Sequence, residues 1–171
     1  MKIAVFGSAF NPPTNSHLKI IEGLQKEFDK VLVVPCYSHN FGKKMIPYDH
    51  RLNMAKLLVS SLKGVEVSDI ESRIFKNETS KTYLLLCALK SLDPTNEYVF
   101  VCGEDNADES NWKRFYKYEA IDKEFGKYVI ESQGNVRSTL LRERLKNNES
   151  ISGMTKDEVI DYISCNRIIF E

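Results

Sequence analysis

Short apolar runs alternate with longer amphipathic segments along this chain. The apolar runs are rich in β-branched and aromatic residues, which favours buried strands, and they fall at 3–6, 30–35, 65–67, 98–102 and 127–130. Helical periodicity follows at 18–28, 48–62, 81–92, from about 138, and at 156–163. Strands that alternate with helices predict an α/β protein with a Rossmann-like parallel sheet and helices on both faces.

This architecture also predicts where a ligand binds. In open parallel sheets, ligands sit at the carboxyl ends of the strands, near the switch in strand order. The polar segments of this chain follow strands or begin helices, so we expect them to converge there. The segment 68–80 is predicted as a loop, and residues 112–114 as part of a polar helix. A G-x-G-x-x-G fingerprint is absent after the first strand, which disfavours a dehydrogenase.

Composition narrows the class of protein. The 171 residues suit one domain, 1–171, without repeats or linkers. With 24 Lys and Arg against 24 Asp and Glu, the formal net charge is zero, which argues against a nucleic-acid partner. We expect no membrane partner, because no apolar run has membrane length. Four scattered cysteines without a C-x-x-C pair favour free thiols in a cytoplasmic protein.

The first candidate site is the segment GSAFNPPTNSH, which joins the first strand to the first helix. A loop of this layout presents backbone N–H groups and the positive end of a helix dipole, which together suit a phosphate. Thr14 and His17 lie three positions apart, so both side chains fall on one side of the first turn. An alternative is that Thr14 only caps the helix and His17 is an ordinary surface residue.

This segment resembles the G-[GS]-x-F-[DN]-P-x-[HT]-x-x-H signature of the nucleotidylyltransferase superfamily, especially the mononucleotide adenylyltransferases of NAD synthesis. The resemblance implies that Thr14 and His17 hold the phosphates of ATP. It also implies ATP-binding positions at Gly7, Ser8, Phe10 and Asn11. Two positions depart from the common pattern: Thr14 replaces a histidine found in most bacterial nicotinate enzymes, and Ser16 replaces a glycine.

A second candidate site is NVRSTLLRERL, residues 135–145. Ser138 or Thr139 can cap a helix, and Arg142 one turn later can bind phosphate oxygens in a bidentate manner. The alternative is a capped amphipathic helix with solvated arginines. The stretch is similar to the superfamily's [IV]-S-x-T-x-x-R signature, which implies that Ser138, Thr139 and Arg142 bind ATP phosphates. Arg137 replaces the usual first Ser, and the sequence leaves open whether its charge enters the site.

Two intermediate segments also resemble the family. GEDNADESNWKRF is similar to the G-x-D-x(n)-W step, which implies adenosine contacts at Gly103 and Asp105 and a pyridine contact at Trp112. The alternatives are a loop or cap role for Asp105 and half-buried packing for Trp112. HRLNM resembles the R-x-x-M step through Arg51 and Met54.

The pyridine nucleotide would contact further residues. TSKT, residues 79–82, resembles the S-x-T loop, which implies that Ser80 and Thr82 meet the pyridine carboxylate. A helix cap at Ser80 is the alternative. Lys43 or Lys44, in the predicted loop 36–47, is a candidate for the phosphates, with a solvated surface role as the alternative. Many relatives carry a longer segment, with another strand, before the second signature.

Together these resemblances imply adenylyl transfer from ATP to nicotinate mononucleotide, forming deamido-NAD and pyrophosphate. His17, Thr14 and Arg142 are the expected catalytic residues, and Mg²⁺ is expected to bind together with ATP. A sibling enzyme that uses nicotinamide mononucleotide or phosphopantetheine is one alternative. A nucleotide sensor without catalysis is another. The sequence leaves open whether the chain is a monomer or a homo-oligomer.

Overall fold

Five parallel strands form one sheet in the order β3-β2-β1-β4-β5. The computed structural model describes residues 1–39, 42–132, 134 and 136–171. Asn40 and Phe41 of the predicted loop 36–47, and Gln133 and Asn135 near the second signature, lie outside these residues. The strands are β1 (Lys2–Ser8), β2 (Lys30–Pro35), β3 (Val65–Val67), β4 (Glu97–Gly103) and β5 (Lys127–Ile130). Each contains or coincides with one of the apolar runs.

The helices of the described residues follow the strands closely in sequence. They are α1 (Asn15–Glu27), α2 (Tyr48–Val59), α3 (Ile70–Ile74), α4 (Thr82–Leu92), α5 (Glu104–Ala107), α6 (Glu109–Trp112), α7 (Tyr118–Glu124), α8 (Ser138–Lys146) and α9 (Asp157–Cys165). The prediction that 68–80 is only a loop was wrong, since α3 lies within it. A helix of five residues is too short for its periodicity to be recognised. The polar helix predicted over 112–114 is also corrected, because α6 ends at Trp112.

Side chains of the three central strands, β1, β2 and β4, alternate between two hydrophobic cores. Ala4 and Phe6 of β1 face one core, which is closed by α1, α2, α8 and α9. Ile3 and Val5 face the other, which is closed by α3, α4, α6 and α7. The sheet is therefore covered on both faces, as its nearly continuous apolar strands require. This arrangement confirms the predicted α/β fold with a Rossmann-like parallel sheet.

The strand order reverses at β1. β1 pairs with β2 on one side and with β4 on the other. The chain leaves the carboxyl end of β1 toward α1 and the carboxyl end of β4 toward α5, so the two connections diverge and leave a crevice between them. Both segments that resemble nucleotide-binding motifs after these strands border this crevice. None of the described helices is long and apolar enough to cross a membrane.

Candidate active site

Thr14 and His17 form a reciprocal cap at the start of α1. The Thr14 hydroxyl accepts the His17 backbone N–H at 3.4 Å, and the Thr14 backbone N–H donates to His17 Nδ1 at 3.0 Å. This is the capping-box arrangement, with histidine in the place usually taken by Glu or Gln. The alternative that Thr14 caps the helix is therefore correct, and the cap itself fixes the imidazole.

The contacts of His17 define its protonation state. Because Nδ1 accepts the Thr14 N–H, the proton of the neutral ring is on Nε2, 3.2 Å from the Ser8 hydroxyl. The ring packs against Phe10, with centroids 4.8 Å apart, and against Phe6 at 6.3 Å. Burial lowers the pKa of His17 to about 4. At neutral pH, His17 is thus an uncharged hydrogen-bond donor with one defined tautomer.

The loop before α1 is held in place by buried residues. Phe10 is fully buried and has a φ of +50°, a left-handed conformation that is rare for an aromatic residue. Asn11 is 3% exposed, and its Oδ1 accepts the Ile46 backbone N–H at 3.3 Å. Neither side chain lines the crevice. Phe10 and Asn11 therefore shape the loop that was predicted to bind ATP.

The start of α8 is bonded to this same loop. The Ser138 hydroxyl donates to the Pro12 carbonyl at 2.7 Å, and Arg142 Nη1 donates to the Asn11 carbonyl at 2.8 Å. Arg142 Nη2 also donates to the Thr139 hydroxyl at 3.2 Å. Two segments more than 120 positions apart in sequence are thus joined side by side at the carboxyl end of β1.

A cavity of about 420 Å³ opens between these segments and the end of β4. Six of the predicted site residues line it: Thr14, His17, Gly103, Asp105, Ser138 and Thr139. The N-terminal ends of α1 and α8 lie at this cavity and favour anions. The Asp105 carboxylate in its lining can accept hydrogen bonds from sugar hydroxyls. Its size and polar lining suit a nucleotide.

Comparisons with known proteins agree with this geometry. Residues 5–152 match the model of the cytidylyltransferase-like family. The chain belongs to the cytidylyltransferase-like family. This membership, together with the relatives below, confirms the resemblance carried by the two signatures.

Similar proteins align with nearly the whole length of the chain. A protein of Fusobacterium nucleatum, named "Probable nicotinate-nucleotide adenylyltransferase", is 31% identical, with 93% of this chain and 95% of that protein covered. One of the same name from Anaeromyxobacter dehalogenans (strain 2CP-C) is 28% identical, covering 98% and 96%. A Vibrio parahaemolyticus crystal structure, also named for nicotinate-nucleotide adenylyltransferase, has a TM-score of 0.81 at 32% identity, covering 96% and 92%.

Not all of the predicted site residues of this cytidylyltransferase-like chain reach the cavity. Asn11, Lys44 and Arg142 line a second cavity of about 310 Å³, formed with the C-terminal residues. Lys44 Nζ lies 3.7 Å from a Glu171 carboxylate oxygen, and both side chains are exposed. Arg142 borders the first cavity only through its bond to Thr139. Lys43, the other candidate lysine, does line the first cavity.

Two further predicted site residues, Gly7 and Ser8, lie at the end of β1. Gly7 and Ser8 close the strand, and the Ser8 hydroxyl lies 3.2 Å from His17 Nε2. Ser8 is thus placed to orient the imidazole. Gly7 pairs with Val34 of the neighbouring strand β2.

Ser80 is committed to a buried hydrogen-bond network. It is 7% exposed, its hydroxyl donates to Glu71 Oε2 at 2.7 Å, and it accepts the Ser38 backbone N–H at 3.2 Å. The same carboxylate oxygen accepts the Tyr37 backbone N–H at 2.7 Å. Burial raises the pKa of Glu71, which these bonds oppose. Ser80 therefore fastens the loop after β2, while Thr82 begins α4.

Trp112 packs in the core rather than facing the cavity. It is 5% exposed and stacks on Phe100 with centroids 6.1 Å apart. Its Nε1–H donates to Asp122 Oδ2 at 2.8 Å, and Lys127 Nζ lies 4.5 Å from the ring centroid. The packing alternative is the one that the structure adopts. The pyridine contact implied by the resemblance stays a prediction.

Arg51 has a structural role that the sequence alone did not assign. It is 1% exposed, and its guanidinium donates to the carbonyl oxygens of Ala9 at 2.9 Å, Cys36 at 2.7 Å and Ile46 at 3.0 Å. These acceptors lie on the loops after β1 and β2. A buried cation that satisfies carbonyls of both loops fixes their relative position. Only the resemblance to the R-x-x-M step pointed to this residue.

Proposed function

We propose that this chain transfers the adenylyl group of ATP to nicotinate mononucleotide, forming deamido-NAD and pyrophosphate in NAD synthesis. The observation that carries the proposal is the meeting of the two signatures at one cavity beside the β1/β4 switch. The fold, the family and relatives that align with nearly the whole chain support the same reaction. The enzyme is therefore a nucleotidyltransferase.

The transfer is a single in-line displacement. A phosphate oxygen of the mononucleotide forms a bond to the α-phosphorus of ATP while the bond from that phosphorus to the bridging oxygen breaks, and pyrophosphate leaves with the electron pair. No covalent enzyme intermediate is needed, so the protein acts by positioning and charge stabilisation. His17 Nε2–H donates to one phosphate oxygen, and the hydroxyls of Thr14 and Thr139 donate to others. The Ser138 hydroxyl, whose proton is donated to the Pro12 carbonyl, holds the loop beside them. Asp105 accepts from the ribose.

We further propose that Mg²⁺ enters as part of the substrate, bound to ATP. In the described residues, no group of three or more His, Cys, Asp or Glu side chains is arranged to hold a metal ion. Mg²⁺ binds phosphate oxygens and usually keeps several waters, so it needs no protein cage. A cytoplasmic location is also part of the proposal, supported by four cysteines that are all free thiols.

The deciding experiment measures pyrophosphate release with ATP and a panel of acceptors. Nicotinate mononucleotide, nicotinamide mononucleotide and phosphopantetheine are compared at equal concentration, with ATP alone as the control. We expect the largest kcat/KM with nicotinate mononucleotide. A preference for another acceptor would replace the substrate while keeping the reaction. ATP binding without pyrophosphate release for any acceptor would indicate a nucleotide sensor instead.

A further inference from the structure

Arg137 places a free cation at the mouth of the adenylyl-transfer cavity. It is exposed, it is the N-cap residue of α8, and it lines the same cavity as Thr14 and His17. Within the part of the chain that the structure describes, no hydrogen bond or ion pair engages its guanidinium. The family signature has Ser at this position, so Arg137 is a departure from the signature.

The side chains that line the cavity carry more negative than positive charge, so a polyanionic ligand needs the charge of Arg137. Three carboxylates line the cavity among the described residues: Glu104, Asp105 and Glu131. Two cationic side chains, Lys43 and Arg137, oppose them. His17 adds no charge at neutral pH, because its pKa is lowered to about 4. Without Arg137, a polyanionic triphosphate would enter a cavity that has only one cation against three carboxylates.

Arg142, in contrast, already has hydrogen-bond partners within the protein. Its guanidinium donates to the Asn11 carbonyl at 2.8 Å and to the Thr139 hydroxyl at 3.2 Å. It does not line the first cavity. The backbone bond holds the loop before α1, and the bond to the hydroxyl orients a predicted phosphate ligand. Arg142 thus has the contacts of a positioning residue, and Arg137 has the exposure of a ligand-binding one.

We infer that Arg137 and Arg142 have different roles at this site. Arg137 contacts the β- and γ-phosphates of ATP and the departing pyrophosphate, and Arg142 positions the loop and Thr139. A guanidinium suits this task because it stays charged and can donate two parallel hydrogen bonds to a phosphate. The inference deepens the proposed function and rests on it for the identity of the triphosphate.

The test compares R137S, which restores the residue of the family signature, with R137K and the wild type. K146S is the matched control, since it removes the same charge from the exposed far end of α8. Calorimetry measures the binding of ATP, pyrophosphate and adenosine without an acceptor. We expect R137S to weaken ATP and pyrophosphate binding about tenfold or more, the scale of one lost charge-assisted hydrogen bond. Adenosine binding should not change, and R137K should be intermediate.

Turnover and salt give independent readouts. In R137S, the KM for ATP should rise and kcat should fall, because the leaving pyrophosphate loses a stabilising charge. Added salt should weaken ATP binding less in R137S than in wild type or K146S. Wild-type affinity of R137S for both ATP and pyrophosphate would overturn the inference, whatever the turnover. If the wild type binds ATP but releases no pyrophosphate with any acceptor, the proposed function fails and the binding comparison still decides the role of Arg137.

Discussion

Arg142 donates a hydrogen bond of 2.8 Å to the backbone carbonyl of Asn11, a residue 131 positions earlier in the chain. The adjacent bond from Ser138 to the Pro12 carbonyl, at 2.7 Å, fastens the same loop. Both acceptors are backbone atoms, so the two bonds set the path of the loop rather than the rotamer of one side chain. The first turn of α1, with Thr14 and His17, therefore takes its position from α8.

Loss of this bond should reduce both stability and turnover. R142A removes a charged donor from a half-buried carbonyl, which we expect to lower the free energy of unfolding by about 1–2 kcal/mol. The kcat should fall about tenfold or more, because small displacements of phosphate-binding groups are costly in rate. Urea unfolding and initial rates of pyrophosphate release measure the two effects.

R142K is the matched variant for this prediction. A single ammonium can replace one of the two bonds but not both, so R142K should fall between wild type and R142A in each measurement. Unchanged stability and unchanged kcat in R142A would show that the bond to Asn11 does not position the loop.

His17 should be needed for turnover more than for folding. H17A removes the Nε2 donor, and we expect kcat to fall by roughly 10²-fold or more, the scale of losing one donor to a developing oxyanion. H17Q keeps an amide N–H near the position of Nε2 and should recover part of the rate. Circular dichroism of both variants checks that α1 remains folded. Wild-type turnover in a folded H17A would remove His17 from the catalytic role.

The low pKa of His17 also predicts how stability depends on pH. The folded pKa of about 4 lies below the value of 6.5 for a free imidazole, so the unfolded chain binds more protons between these values. The free energy of unfolding should therefore fall as the pH drops from 6.5 toward 4, and should not depend on His17 above 6.5. From pH 7.5 to 5.0, the loss attributable to His17 is about 2 kcal/mol.

The comparison with H17Q isolates this contribution. Buried Glu71 has a raised pKa, which gives the opposite dependence on pH, but this carboxyl is present in both proteins. Urea unfolding at pH 7.5 and 5.0 should therefore show a larger loss in wild type than in H17Q. Equal losses would mean that the imidazole is protonated in the folded protein.

The sequence predicted the sheet well because its strands are buried on both faces. Five apolar runs gave the five strands of the described structure, and the layout of strand, loop and helix placed Thr14 and His17 at a helix N-terminus. Such features are local, so periodicity and capping residues reveal them. The short α3 was missed because one turn of helix has no measurable period.

The positions of several side chains depended on partners that are distant in sequence. Ser80 is turned inward by Glu71, Trp112 by Phe100 and Asp122, and Arg142 by Asn11. A motif gives the residue types but not the partners, distant in sequence, that orient their side chains. Arg137 shows the reverse case: a departure from the signature whose exposure on the cavity only the structure reveals.

The last prediction concerns Phe10, whose φ of +50° combines with complete burial. Its ring supports the imidazole of His17 at 4.8 Å and the ring of Phe6 at 5.9 Å. F10A should therefore lower the free energy of unfolding by about 3 kcal/mol or more. F10L, which keeps most of the apolar volume, should lose less. Because the imidazole loses its support, kcat should fall further in F10A than in F10L.

F10G separates backbone strain from packing at this position. At ordinary positions in regular structure, glycine is less stabilising than alanine by about 0.5–1 kcal/mol. A left-handed conformation costs a non-glycine residue about 1–2 kcal/mol, and glycine avoids this cost. We therefore expect F10G to be at least as stable as F10A in urea unfolding, although it has the smaller side chain. A markedly less stable F10G would show that the backbone at residue 10 is not left-handed in solution.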